Sequence, residues 1–212
     1  MAAPRPQPRQ AAPGRPPDPR KRAAVLEEAR KLFLREGYDA SLEAVAAAAG
    51  VSRQTIYNLF GSKDELFVAI LNDRAEQLTA PLATASDAVG PRAVLTELGR
   101  RFLVAVLSPE AGQFQRAVIA SASRFPKLAR QFYEAGPAVS LRRLAAYLTA
   151  EAERGRLRVA DPLLAAELFF GMLKGHCHIR LMLCGEGAPG PAEQERRIAY
   201  CVEAFLAAHA PD

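Results

Sequence analysis

The side chains with the most suggestive chemistry form a short polar cluster in the segment RQTIYN, residues 53–58. They can donate hydrogen bonds to, or accept them from, DNA base edges and phosphate oxygens. The cluster consists of the side chains of Arg53, Gln54, Thr55, Tyr57 and Asn58. The cluster therefore predicts contacts with nucleic acid, provided that neighbouring elements hold these side chains on one outward face.

The surrounding pattern predicts two short helices that would position this cluster. One helix spans 42–49 and ends before Gly50, and the other spans 53–60 and begins after Ser52. Serine is a preferred N-terminal cap, and the free amides of the helix start suit a phosphate group. Two helices joined by so short a turn are typical of a helix-turn-helix motif, whose second helix enters the major groove. The turn by itself also fits two core helices of a bundle.

The residues on either side make the pattern more specific. The segment reads AAVLEEARKLFLREGYDASLEAVAAAAGVS and continues RQTIYNLFGSKDELFVAIL, with Ser62 and Glu65 at the spacing of a capping box. The chain resembles the TetR family of bacterial transcriptional regulators over this segment. The resemblance implies a three-helix DNA-binding head, joined by a fourth helix to a larger helical regulatory domain. It also implies homodimers, mostly repressors, that small ligands release from palindromic operators.

The resemblance also implies which residues contact DNA. The residues implied to face the groove are Arg53, Gln54, Tyr57 and Asn58. The implied phosphate contacts are Ser41, Ser52, Thr55, Tyr57 and Lys63. Val45 departs from the family pattern, in which isoleucine is more usual. Further along the chain, FQRAVIASASRFPKLARQFYEAGP is similar to the C-terminal domain of AefR-like members of the family.

Apolar periodicity and helix-start signals predict an all-α chain. Prolines at the first position of several helical patterns mark their starts, since that position needs no N–H. The predicted helices are 19–36, 42–49, 53–60, 63–79, 91–107, 110–123, 126–135, 137–154, 162–184 and 192–209. We expect a Pro- and Arg-rich disordered arm at 1–17, a DNA-binding head at 18–62 and a helical regulatory domain at 63–212.

The charge is unevenly distributed along the chain. The net charge is +5, and residues 1–22 account for all of it, with six basic side chains against Asp18. The head segment 23–74 carries six basic and eight acidic side chains, a net −2. DNA recognition must therefore depend on placed side chains and not on bulk charge. The arm is either a solvated tail or a segment whose arginines enter the minor groove.

The composition also excludes several classes of protein. No apolar run approaches the roughly 18–20 residues of a membrane span, so we expect no membrane association. The N-terminus lacks the apolar segment of a signal peptide, which predicts a cytoplasmic protein. Three cysteines in such a chain indicate free thiols and not a disulfide framework. No Ser/His/Asp arrangement or carboxylate pair indicates an enzyme, and we expect no cofactor.

Two further sets of residues are predicted in the regulatory domain. Aromatic and neighbouring side chains at helical spacing are candidates for a ligand cavity, although each also fits an ordinary core position. They are Phe102, Phe114, Phe132, Tyr133, Tyr147, Phe169, Phe170, Met172 and His176. The last two predicted helices correspond to the dimer contact of the family, which makes Gly171, Gly175, Cys201 and Phe205 candidates for that contact.

Two weaker signals favour ordinary structure over chemistry. The sequence GEGAPG at 185–190 matches a dinucleotide-binding pattern but follows a helix instead of a strand, so we predict an interhelical loop. The run His176-Cys177-His178, with Cys184 beyond it, contains metal-ligating residue types. Neighbouring residues point about 100° apart on a helix, which disfavours joint coordination. We therefore predict no metal site, although thiol sensing stays an alternative.

One alternative reading of the whole chain remains at this point. It is a helical small-molecule-binding or interaction protein whose head no longer binds DNA. A head that had lost DNA binding would be expected to lose the polar side chains of 53–58 or the tight turn at Gly50, and the sequence retains both.

Overall fold

The computed structural model describes residues 18–85 and 88–211, and these residues form α-helices, a short 3-10 helix at Gly37–Asp39 and loops, without a strand. The all-α fold class is therefore confirmed. The helices are α1 (Pro19–Glu36), α2 (Leu42–Ala48), α3 (Arg53–Phe60), α4 (Lys63–Ala83), α5 (Pro91–Leu107), α6 (Pro109–Ser121), α7 (Pro126–Ala135), α8 (Pro137–Glu153), α9 (Pro162–Cys184) and α10 (Pro191–Ala208). The arm predicted at 1–17 lies outside the described residues.

Local capping signals account for most of the helix starts. Proline occupies the first turn of seven of the described helices, where its missing N–H costs no hydrogen bond. Asp18, Ser108 and Asp161 each accept a hydrogen bond from a backbone N–H of the helix that follows, at 3.0–3.2 Å. Gly136 and Pro137 separate α7 from α8, as predicted from their sequence.

The chain buries two apolar clusters, and α4 contributes to both. We call α1 to α3 the head and α5 to α10 the body. The first cluster holds the head core together with Leu66, Phe67, Ile70 and Leu71 from the first half of α4. The second cluster lies within the body and includes Leu78 from the second half of α4. A displacement of α4 would therefore disturb the packing of the head and of the body at once.

Helix α4 runs four residues beyond its predicted end, through Pro81. A proline inside a helix leaves the carbonyl four residues earlier without its N–H partner. That carbonyl belongs to Gln77, and Nη1 of Arg101 on α5 donates to it at 2.9 Å. A tertiary hydrogen bond thus replaces the missing helical one and allows α4 to continue.

Helix α9 is interrupted at Gly175, where the sequence predicts an unbroken helix over 162–184. The residue has φ +47° and ψ −155°, a conformation that side chains other than glycine rarely adopt. A Cβ atom at this position would lie 2.7 Å from Nη1 of Arg197 on α10. The interruption changes the direction in which residues after Gly175 project.

None of the described helices is both long enough and apolar enough to cross a membrane.

Candidate DNA-binding face and ligand cavity

The turn between α2 and α3 is built as the sequence predicts. Gly50 has φ +63°, the left-handed conformation that a tight turn after a helix requires. Ser52 then caps α3, since its Oγ accepts from the backbone N–H of Thr55 at 3.1 Å. Ile56 and Phe60 are buried against the head core and fix which side of α3 faces solvent. The predicted cap and the helix-turn-helix arrangement are confirmed.

The outer face of α3 carries two pairs of hydrogen-bonded polar side chains. Nη2 of Arg53 donates to the hydroxyl of Tyr57 at 3.0 Å, and Nε2 of Gln54 donates to Oδ1 of Asn58 at 2.9 Å. Arg53, Gln54 and Asn58 are exposed, whereas Tyr57 is half-buried. Arg53 also forms an ion pair with Glu43 of α2, with Nη1 2.5 Å from Oε1. These contacts restrict the side chains to a few conformations.

The remaining predicted DNA contacts lie at the starts of α2 and α4. Ser41 is exposed and caps α2, where its Oγ accepts from the N–H of Ala44 at 3.0 Å. Lys63 begins α4, and its Nζ lies 4.7 Å from the centre of the Tyr38 ring, within the range of a cation–π interaction. The structure therefore places all eight predicted residues at α2, α3 and the start of α4. Their contact with DNA stays a prediction.

Tyr38 also connects the head to the body. Its hydroxyl donates to Asp64 at the start of α4, and Nζ of Lys127 on α7 lies 3.3 Å from the other carboxylate oxygen. The hydrogen bond from Tyr38, with help from Lys127, holds the pKa of Asp64 below its usual range. Burial and the neighbouring carboxylate raise the pKa of Tyr38, so its hydroxyl stays protonated at neutral pH. Sequence analysis did not identify this connection.

A cavity of about 340 Å³ lies between the head and the body. Its volume falls within the roughly 300–1,000 Å³ typical of small-molecule sites. Residues of α1 and α4 form one side, and residues of α5 to α9 form the rest. The head therefore contributes directly to the cavity wall, which the sequence did not predict.

Aromatic side chains form a continuous path from the head core to the cavity. Phe33 of α1 lies 5.6 Å from Phe67 of α4 between ring centres. Phe67 in turn lies 6.1 Å from Phe114 of α6, and Phe114 lies 5.7 Å from Phe132 of α7. All four rings line the cavity. A molecule in the cavity would thus touch rings that also pack inside the head.

Polar side chains interrupt this apolar lining at a few positions. Arg74 of α4 donates to the carbonyl of Ala105 at 2.5 Å, and burial lowers the pKa of its guanidinium. His178 and Gln115 share a hydrogen bond of 3.0 Å, and burial with the nearby Lys174 lowers the pKa of His178. The polar or charged lining residues are Arg30, Arg74, Gln115, Ser140, Glu167, Lys174 and His178.

Five of the nine predicted pocket residues line this cavity. They are Phe102, Phe114, Phe132, Tyr133 and Phe170. Phe169 and Tyr147 are instead buried in the body core, and Met172 and His176 are exposed on α9. We therefore no longer assign these four to the cavity. The reason is that α9 is apolar on nearly every side, so its sequence does not reveal which side meets the cavity.

The predicted dimer residues also divide between surface and core. Gly171 is exposed, with open space where a Cβ atom would lie, and Gly175 is exposed at the interruption of α9. Cys201 and Phe205 are buried in the body core, where Phe205 packs on Phe169 with ring centres 5.1 Å apart. We therefore remove Cys201 and Phe205 from the candidate contact. The large apolar side chains exposed on α9 and α10 are Leu163, Leu164, Leu168, Met172, Ile179, Leu183 and Tyr200.

The weaker sequence signals have ordinary structural surroundings. Residues 185–190 form the loop between α9 and α10, in agreement with the prediction. Across 18–85 and 88–211, no three His, Cys, Asp or Glu side chains are grouped so that they could hold a metal ion. Cys177, Cys184 and Cys201 are free thiols.

Two family models match the chain. Residues 25–70 match the family described as bacterial regulatory proteins, tetR family. Residues 93–211 match the C-terminal domain described as AefR-like transcriptional repressor. None of the proteins of curated function matches the sequence significantly.

Several solved structures share the fold over nearly the whole chain. A TetR-family transcriptional regulator from Mesorhizobium loti is 33% identical, with a TM-score of 0.72 over 90% of this chain and 97% of its own. The flavonoid-responsive regulator FrrA is 32% identical, with a TM-score of 0.65 over 91% and 98%. A TetR transcriptional regulator from Agrobacterium tumefaciens is 27% identical, with a TM-score of 0.67 over 92% and 96%.

Proposed function

Because the chain belongs to the TetR family of bacterial transcriptional regulators, we propose that it represses transcription from a palindromic operator as a homodimer, and that a small molecule releases it. One observation is the main support for this proposal. The polar face of α3 is exposed, while α1 and α4, which support α3, form part of a cavity wall. A ligand in this cavity would therefore press on the helices that set the position of α3.

The polar face of α3 supports the choice of DNA as a partner. Arg53, Gln54 and Asn58 present both donors and acceptors, as base edges in the major groove require. The amide groups at the capped starts of α2 and α3 suit phosphate oxygens. Because residues 23–74 carry a net charge of −2, we expect these placed groups to supply the recognition.

The exposed apolar side chains of α9 and α10 support a homodimer. Leu183 and Tyr200 are each 78% exposed, and Leu168 is 57% exposed. Large apolar side chains exposed on two helices of a folded chain are typical of an interface. A two-fold dimer formed there would present two copies of α3 to two half-sites about 34 Å apart on one side of the duplex.

The position of the cavity supports release by a ligand. A ligand shifts an equilibrium between two conformations only by its difference in affinity for them. Because α4 belongs to the head core and to the body core, a ligand that moves α4 would change the separation of the two α3 helices. The conformation with altered separation would bind the operator less tightly. The name of FrrA records a response to flavonoids, which supports a small organic effector here.

Genome-wide recovery of the DNA bound to the full-length chain tests the proposal. We expect a few sites with inverted repeats, and increased transcription of the adjacent genes after deletion of the regulator gene. Sedimentation of the purified chain should show a dimer. Recovery of no enriched site would contradict DNA binding, and decreased transcription after deletion would contradict repression. A monomer on the recovered operator would contradict the dimer.

A further inference from the structure

The polar groups of the cavity carry an excess of positive charge. Arg74 and Lys174 line it, and neither forms an ion pair within the part of the chain that the structure describes. Arg30 is already neutralised by Glu27, with Nη2 2.8 Å from Oε1. Glu167 is the acidic residue of the lining, and it is exposed on α9 without a pair to either cation.

Arg74 is the most unusual of these groups. Its guanidinium has five N–H donors, and the described contacts include one acceptor, the carbonyl of Ala105. Burial, and to a smaller extent the like charge of Arg30, disfavour its protonated form and lower its pKa. Desolvated cations in proteins are normally paired with an anion or with several acceptors. The lining therefore leaves Arg74 short of an anionic partner.

The rest of the lining determines what kind of molecule could supply that partner. The rings and aliphatic groups around Arg74 suit a rigid apolar body, and aromatic rings stack or pack edge to face on such a lining. Arginine binds carboxylate-like groups through two parallel hydrogen bonds, which adds orientation to the attraction. Lys174 provides a second positive charge on the α9 side of the same cavity.

We propose that the effector is an aromatic organic acid, whose ring body lies among the phenylalanines and whose anionic group binds Arg74 with support from Lys174. This inference rests on the proposed function, since it names the chemical class of the effector. It also explains how a ligand would move α4, because Arg74 and the head-core residue Phe67 both belong to that helix. An acid bound to Arg74 attaches directly to the helix that joins head and body.

A matched pair of fluorescent probes tests the charge requirement. The anionic probe is 8-anilinonaphthalene-1-sulfonate, and the neutral probe is N-phenyl-1-naphthylamine, which has the same rings without the sulfonate. The chain contains no tryptophan, so the probe signal is free of indole fluorescence. Dissociation constants are measured on the full-length protein and on Arg74→Met, Lys174→Met and the control Arg142→Met.

We expect Arg74→Met to weaken binding of the sulfonate about tenfold or more, because a charge-assisted contact is lost. The neutral amine should change by less than about twofold. Lys174→Met should show the same selectivity with a smaller effect. Arg142 is exposed on α8 outside the cavity, and its ion pair with Glu134 is long at 3.8 Å, so Arg142→Met should change neither constant.

Several results would overturn the proposal. They are equal weakening of both probes by Arg74→Met, no response of the sulfonate to Arg74→Met, no binding of either probe, or an equal effect of Arg142→Met. Circular dichroism checks that each variant folds. Arg74→Lys provides a second test, since it keeps the charge and should retain more sulfonate affinity than Arg74→Met.

Operator binding separates a failure of this inference from a failure of the proposed function. If the sulfonate lowers the affinity of the wild-type protein for the recovered operator and not that of Arg74→Met, both proposals stand. If the neutral amine alone releases the protein from the operator, the proposal of an acidic effector is wrong and the proposal of release by a ligand stands. If the sulfonate binds through Arg74 and operator affinity is unchanged, the site stands and ligand release is wrong.

Discussion

The candidate polar groups of the head point into solvent, whereas those of the body point into a cavity. In the head, Arg53, Gln54 and Asn58 project from one short helix into solvent. In the body, Gln115 and His178 face a cavity whose walls come from seven helices. A surface site on one helix depends on local sequence, whereas a cavity depends on how many helices pack together. This difference decides which substitutions affect DNA binding and which affect stability.

The largest effect is expected for Phe169→Ala in the body core. Phe169 is fully buried and packs on Phe205 and Phe170, so the substitution removes a ring and leaves a cavity. We expect a loss of about 3–5 kcal/mol in the free energy of unfolding, measured with urea. Val104→Ala is the control, because Val104 is 63% exposed and should change stability by less than about 0.5 kcal/mol. Similar losses for both variants would mean that Phe169 is not a core residue.

A smaller effect is expected for Arg53→Ala on the head surface, and it should appear in binding alone. Loss of a base or phosphate contact should weaken operator binding by about 1–3 kcal/mol, measured by gel shift, with the unfolding temperature unchanged. Glu43→Ala is the matched control, because it removes the partner of Arg53 and leaves the arginine free. We expect Glu43→Ala to bind the operator at least as tightly as wild type. Equal weakening by both substitutions would show that the ion pair, and not contact with DNA, is what matters.

The smallest effect concerns the dependence of body stability on pH. Burial and Lys174 lower the pKa of His178, so the unfolded chain takes up a proton at a higher pH than the folded chain. The stability associated with the neutral ring is complete above the unfolded pKa of about 6.5, and it declines as the pH falls below it. His178→Gln keeps a polar partner for Gln115 and should flatten the decrease in stability between pH 7.5 and 5.5.

His176→Gln is the control for this measurement. His176 lies on the same helix and is exposed within the single chain, so its substitution removes no buried ring from the body. Urea unfolding at several pH values should give His176→Gln the same profile as wild type. If both variants gave the wild-type profile, burial of His178 would have no influence on stability.

Much of the fold could be predicted from the sequence because its signals are local. A capping side chain, a proline in the first turn or a glycine after the last turn acts within a few residues, as Ser52, Pro162 and Gly50 show. The end of α4 was predicted too early because it depends on a residue that is distant in the sequence. Pro81 is compatible with a helix only because Arg101, twenty residues later, donates to the carbonyl of Gln77.

The two candidate sites could be predicted to different degrees. The residues of α3 are consecutive, and burial of Ile56 and Phe60 on one side determines which side chains remain exposed. The cavity collects residues from α1 and from α4 to α9, so Phe33, Phe67 and Arg74 gave no signal of belonging to it. The sequence showed these residues only as members of apolar or charged helix faces. No spacing along the chain indicates that α1 borders the same cavity as α9.

The sequence by itself determined where the helices begin, to within one residue, and the polar face of α3, because these depend on interactions within a few residues. Tertiary structure decided the direction in which α9 presents its residues. Periodicity shows which side chains share a face, but a helix that is apolar on nearly all sides leaves its neighbours unspecified. The interruption at Gly175 then changes the direction of the residues after it, where His178 lines the cavity and His176 is exposed.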